Sequence, residues 1–429
     1  MTKISACTCM FLIIIPGRFL IEWLPYINMG TISTILVGLS YLFMAICLLD
    51  NHSNFKKSLN KDGKNLLFLY ISYSLFIFYY LFITPQLDLA EMAHVPKSIE
   101  SYLQSSISIG VPIYLANYCK EKVDFLFFAK FSTLFIIFLL IVYFLKVDFN
   151  NYITLRLMHG EQRDEFVENQ GLIAPSTLGR HVITAYVCNL WIGKRWSKSS
   201  LINDSIFYTI FIVLVSCLML FAERGPILFT ISTTLFFYFS KSKQLSKYIL
   251  ISLITIFLIV VFSDYIISFL TPIFGHTFER FSTIIEDGGS GRFGGEDSVY
   301  GTSLEQIQNG LLWGSYPRIV SHNWMDGMYP HNLFLEILMS LGIVFGIPLC
   351  WLMIKAVFKS FHAIRYRDPE SLFCLLFICY SSCLLTSGTI MLHRHFWITF
   401  AITLSVKTIK RSNFLIRPSQ AKSNILNFK

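Results

Sequence analysis

The chain predicts an all-α, polytopic integral membrane protein of about twelve transmembrane helices with one large external loop. Three observations predict it. Of 429 residues, 54% are hydrophobic and only 14% are charged, whereas a soluble domain carries roughly a quarter charged residues. The apolar residues gather in runs close to the roughly 20 residues that carry a helix across a bilayer. One long polar stretch, from Thr271 to Pro330, interrupts them.

The spans are expected at 7–24, 29–49, 66–85, 105–118, 124–147 and 172–193. They continue at 206–222, 226–240, 248–270, 331–354, 371–389 and 393–409. The first is interrupted by Pro16, Gly17 and Arg18, with no small-residue cleavage site of the kind a signal peptide carries. The span at 105–118 is short and mildly polar. Glu223-Arg224-Gly225-Pro226 splits the apolar stretch from Ser205 to Ser240 into a tight hairpin. The chain thus divides into N-terminal helices (1–204), a second group with the Arg224 hairpin (205–270), the loop (271–330), a last group (331–409) and a tail (410–429).

Lys and Arg orient the chain, because basic loops stay in the cytoplasm. They cluster at 50–65, 194–198, 241–247 and 355–370 and after Lys407, which puts both termini inside. The loops 86–104 and 148–171, the Arg224 hairpin, the loop 271–330 and the turn His393-Arg394-His395 then share the outer face. The net charge of +9 is accounted for by these loops and does not point to nucleic acid. None of the ten cysteines lies in the long loop, so neither disulfides nor a Cys-based metal site is expected.

Polar residues at the outer face carry the chemistry. Arg224 sits between two apolar runs, where a guanidinium snorkels, pairs with Glu223 or meets an anion. Its planar fork suits a phosphate or diphosphate, Gly225 allows close approach, and Pro226 suits the first turn of the returning helix. Arg292 lies in Gly288-Gly289-Ser290-Gly291-Arg292-Phe293-Gly294-Gly295, which reads either as a connector or as an anion-binding nest. Arg280 and Arg318 are further basic candidates in the loop. His331, in Pro330-His331-Asn332-Leu333-Phe334-Leu335-Glu336, stands at a helix start, where the dipole favours a neutral imidazole able to act as a base. Asn332 orients it or caps the helix, and Glu336 orients the helix end or binds sugar. His393-Arg394-His395 reads as a set of interfacial anchors, with Arg394 a third phosphate contact, rather than as a metal site. Arg180-His181 is expected to face the bundle interior or a water cavity, and Arg18 disrupts the first span. Trp313 and Trp324 either stack on sugars or anchor the loop at the interface.

The ordered set of an Arg-Gly hairpin, a large external loop with Gly-Arg and then Trp-Gly, and His-Asn-Leu-Phe-Leu-Glu entering a span with Gly342 and Gly346 resembles the O-antigen polymerase and O-antigen ligase superfamily of bacterial envelope glycosyltransferases. The resemblance covers roughly residues 205–360. It implies glycosyl transfer on the periplasmic face of the inner membrane, without metal or cofactor, from an undecaprenyl-diphosphate-linked oligosaccharide. It also implies Arg224 and Arg292 on the diphosphate, His331 as the base at the acceptor hydroxyl, and a chain-length regulator protein as a possible partner. Polymerase is favoured over ligase; the two differ only in acceptor. A flippase of lipid-linked oligosaccharide is the rival class, kept open by Arg18 and Arg180, and a scaffolding membrane protein is the third.

Overall fold

The computed structural model describes residues 5–27, 29–50, 60–83, 99–119, 122–146, 175–193, 195–197, 199–220, 224–242, 298–315, 318–319, 328–385, 388–391 and 393–406, with isolated residues at 166, 173, 261, 265 and 268. Among them the chain is helical, with a single isolated bridge pairing Ile319 and Met328. The helices are α1 (Ala6–Ile14), α2 (Arg18–Trp23), α3 (Gly30–Asp50), α4 (Lys61–Phe82), α5 (Ile99–Cys119) and α6 (Phe125–Lys146). They continue with α7 (Pro175–Ile192), α8 (Ser200–Leu220), α9 (Arg224–Lys241), α10 (Val299–Asn309), α11 (Leu333–Tyr366), α12 (Ser371–Leu384) and α13 (Arg394–Ser405).

Among the described residues, six segments are long and apolar enough to cross a membrane: Ala6–Trp23, α3, α4, α6, Ser200–Leu218 and α11. Their exposed faces are apolar. In α3 the stripe is Ile32, Ile35, Leu39, Leu42, Ile46 and Leu49. This helical spacing, turned outward, is what a hydrocarbon solvent selects.

The remaining helices depart from a uniform run for identifiable reasons. The expected span 105–118 is a longer helix, α5, whose polar stretch is used for cross-helix bonding. Tyr70 and Tyr41 donate to the carbonyls of Ser106 and Gln104 at 3.1 and 3.0 Å. The expected spans 371–389 and 393–409 are only 14 and 12 residues of helix. From Ser371 to Tyr380 and from Phe396 to Ser405 every residue is buried. Helices enclosed by protein need neither the length nor the lipid-facing stripe of an outer span. The expected span 248–270 lies outside the described residues apart from isolated positions.

α11 runs 34 residues, about 51 Å of helix against a hydrocarbon core of about 30 Å. It breaks at Gly342, whose φ of 58° and ψ of −164° are not helical. The segment after α10 docks into the break. The N–H groups of Ile343 and Val344 donate to the carbonyls of Leu311 and Leu312 at 2.9 and 3.2 Å, and Ser315 N–H donates to Met339 O at 2.5 Å. Backbone groups freed by the break are thereby satisfied inside the protein, as membrane depth requires. The described part of the long polar stretch is therefore partly helix packed on α11. Trp313 is 58% exposed and lies 6.2 Å from Phe345 of α11, so its ring continues the apolar surface of that helix. That geometry favours the interface-anchor alternative for Trp313; Trp324 lies outside the described residues.

The two ends of the bundle differ in character. At one end Lys355 and Lys359 of α11 hold Asp62 of α4 at 2.7 and 3.2 Å, and Lys122 meets Asp50. Trp191 donates to Ser371 Oγ at 2.8 Å there. The basic segments around 60, 195, 241 and 360 all belong to this end. The starts of α7, α9, α11 and α13 gather at the other.

Candidate functional site

At that second end a polar cluster forms from residues far apart in sequence. The chain turns at Pro16-Gly17, where an added Cβ on Gly17 would stand 2.6 Å from Ile13 O. The turn re-aims α2, so that Arg18 and Glu22 point into the bundle one helical turn apart. Arg18 Nε donates to Glu22 Oε1 at 2.7 Å, and His181 Nε2 donates to Glu22 Oε2 at 2.8 Å. Phe19 stacks on the His181 ring at 4.9 Å with an interplanar angle of 6°.

Beside them, Arg180 donates to Thr177 Oγ1 at 2.8 Å and to His393 Nε2 at 3.2 Å. A guanidinium can only donate, so His393 Nε2 is the accepting nitrogen and the proton of the neutral ring sits on Nδ1. Gly388, at φ 88°, lays its backbone against this ring: an added Cβ would meet His393 Nε2 at 2.4 Å. His395 donates to Ile14 O at 3.0 Å and stacks on Tyr380. Arg18, Glu22, Arg180, His181, His393, Arg394 and His395 enclose about 30 Å³, room for a water molecule rather than a sugar. The cluster is a closed network that supports the end of the bundle.

This corrects the expectation for the His393-Arg394-His395 turn. His393 is 5% exposed and held from both sides, so it is not a surface anchor. Arg394 lines the same network, facing the other cations. Arg180 and Arg18 do turn inward, and the acid that pairs with Arg18 and His181 is Glu22. Sequence reading missed that acid, although the Arg18-to-Glu22 spacing of four and the rarity of acids in the spans were signals for it.

The other expected residues distribute as follows. Arg224 is the first residue of α9. Gly179 packs directly on Pro226, with an added Cβ only 2.5 Å from Pro226 Cγ, so the first turn of α9 abuts the second turn of α7 beside Arg180. His331 precedes α11 with φ 49°, in the left-handed region uncommon for a non-glycine residue, and its ring lies 4.2 Å from that of Tyr329. Asn332 caps α11: its Oδ1 accepts from the N–H groups of Phe334 and Leu335 at 3.0 and 3.2 Å.

Glu336 is buried, and its acceptors are taken up by protein donors. Thr389 Oγ1, Ile390 N–H and Tyr73 OH donate to it, the last two at 3.0 and 3.3 Å. Between orienting the helix end and binding sugar, this geometry supports the first. Glu336 ties the start of α11 to the loop that leads into His393. Tyr73 and Thr389, polar residues within apolar runs, went unnoticed in the sequence for lack of a partner to match them with. Arg318 is 4% exposed and lies 5.8 Å from the Tyr329 ring. Arg280 and Arg292 lie outside the described residues.

Among the described residues no group of three or more His, Cys, Asp or Glu side chains is placed to hold a metal ion. The electrostatics of this end are positive. Helix starts carry partial positive charge, and in this cluster Arg18, Arg180 and Arg394 stand with one carboxylate, Glu22, while Glu336 lies buried in the first turn of α11. No family model, no curated protein and no solved structure matches the chain.

Proposed function

We propose that this protein is a membrane-embedded glycosyltransferase of the O-antigen polymerase kind, joining undecaprenyl-diphosphate-linked oligosaccharide repeat units on the periplasmic face of the bacterial inner membrane. The observation that carries the reading is the gathering of the starts of α7, α9, α11 and α13, with their arginines, at the end of the bundle opposite the lysine-rich one. An anionic diphosphate is drawn to such an end. The reading takes the chain as twelve spans, with both termini in the cytoplasm and 271–330 outside.

In this reading Arg224 and Arg292 hold the diphosphate, and His331 faces the acceptor. The acceptor hydroxyl attacks the anomeric carbon of the donor glycan as the bond from that carbon to the diphosphate oxygen breaks. The hydroxyl proton passes to His331, and the guanidiniums stabilise the charge developing on the leaving diphosphate. Transfer to lipid A–core, the ligase reaction, uses the same chemistry with another acceptor. Two observations favour a flippase instead: the enclosed Arg18–Glu22–His181 network and the break in α11 at Gly342, since broken helices and buried charges mark transporters.

The deciding experiment is the lipopolysaccharide banding of a deletion strain complemented with wild type, His331→Ala or Arg224→Lys. Core plus one repeat unit, restored to a ladder by wild type and by neither variant, is the expected result; Lys cannot reproduce a bidentate fork. Core alone in the deletion strain points to the ligase or the flippase. A normal ladder there overturns the glycosyl-transfer reading. Orientation is tested separately: reporter fusions at Gly310 and Lys243 are expected on opposite sides of the membrane, and the same side for both refutes the topology.

A further inference from the structure

A larger cavity, about 470 Å³, lies at the lysine-rich end between the last turns of α7 and α9, the first turn of α8 and the corner joining α11 to α12. Its lining combines Arg195, Lys241 and Arg367 with the aromatic faces of Trp191 and Phe237; Asp204 is the one acid lining it among the described residues. The cations are held in position. The Arg195 guanidinium lies 3.9 Å from the centre of the Trp191 ring and donates to the carbonyls of Ile192 and Trp191. The Lys241 ammonium lies 3.7 Å from the centre of the Phe237 ring. Both Arg195 and Arg367 are close enough to act electrostatically on Lys241.

Arg367 adds an independent observation. It ends α11 at φ 58°, and its N–H closes onto the carbonyls of Ala363 and Ile364. Glycine is the usual residue at such a left-handed cap, and an arginine there carries a backbone penalty. Helix-end capping explains part of the basic character, since cations favour the negative ends of helices. It does not explain why three cations, each open to solvent and so accessible to a ligand, surround one aromatic-walled cavity.

We propose that this cavity binds a phosphate ester, with the phosphate between Arg195, Lys241 and Arg367 and the ester's carbon body against Trp191 and Phe237. An anionic phospholipid of the adjoining leaflet and a soluble phosphate ester share that chemistry. The site is separate from the proposed glycosyl-transfer end and does not depend on that assignment.

The test uses the full-length protein, delipidated in a neutral maltoside detergent, with thermal unfolding and native mass spectrometry as readouts. The probes are phosphatidylglycerol, phosphatidylethanolamine as the control of no net charge, and glycerol 3-phosphate. Phosphatidylglycerol is expected to raise the melting temperature and to appear as a bound adduct, more than phosphatidylethanolamine does. Lys241→Gln is expected to weaken that binding about fivefold, the effect of one basic residue at an anionic membrane surface, while Lys241→Arg retains it. Arg367→Gly removes a charge while relieving the positive φ, so it should fold at least as well as wild type and still lose the lipid-dependent shift. A shift with glycerol 3-phosphate that the same variants lose supports the site and assigns a soluble ligand. Binding of both probes that is indifferent to Lys241→Gln and Arg367→Gly overturns the proposal.

Discussion

Glu22→Gln is expected to cost about 1.5–3 kcal/mol of stability, the range for hydrogen bonds to a charged group, because the pair is half-buried. The substitution keeps the shape of the side chain and deletes the charge that Arg18 and His181 share at 2.7 and 2.8 Å. Arg18, Arg180 and Arg394 then face one another across about 30 Å³ with no carboxylate among the lining residues. In detergent the variant should show a markedly lower melting temperature and a broadened size-exclusion profile, with comparable synthesis. Adding Arg18→Gln should return part of the loss, because it removes a repelling cation. A Glu22→Gln protein that melts with wild type would mean that the network contributes nothing to stability.

Gly342→Ala is expected to lose about 3 kcal/mol or more, combining left-handed strain with a steric clash. The added Cβ would stand 2.4 Å from Leu312 O and 2.5 Å from Gly314 N, both backbone atoms that cannot rotate away. Relief requires the 311–315 segment to leave its seat on α11, so the visible result is proteolytic cleavage near Leu311–Trp313 together with a lower melting temperature. Gly38→Ala in α3 is the matched control. Nothing lies within 4 Å of its added Cβ, and alanine favours helix over glycine by roughly 1 kcal/mol. If both alanines behave alike, the docked break is not a structural requirement.

How much of this was legible in the sequence depended on what each residue faces. The spans at 29–49 and 124–147 appear as α3 and α6 within a residue or so at each end, because lipid imposes one monotonous requirement on every exposed position. The enclosed helices were harder to bound, since protein neighbours replace lipid and relax both length and composition; α12 and α13 came out shorter than expected for that reason. Arg18, Arg180 and the His393 turn each stood out singly. Their meeting did not, because it joins positions 159 and 213 residues apart, and nothing in local pattern encodes such a pairing. Asn332 as a cap was readable from the turn chemistry before an apolar run. The docking of Leu311 and Leu312 on α11 was not, although Gly314 and Gly342, both at positive φ, were the conspicuous residues on its two sides.

The composition of α7 has a consequence for how the protein is made. This helix carries Arg180, His181 and Asn189 within 18 residues, and an arginine inside a segment opposes release into lipid, though less near its end than at its middle. Among the described residues, His181 pairs with Glu22, synthesised long before it, and Arg180 meets His393, synthesised long after. α7 is therefore expected to insert more readily beside α2, which supplies the acid that pairs with His181, than on its own. The contact to Glu22 can form as soon as α7 has been made, whereas the contact to His393 has to wait until the chain is nearly complete.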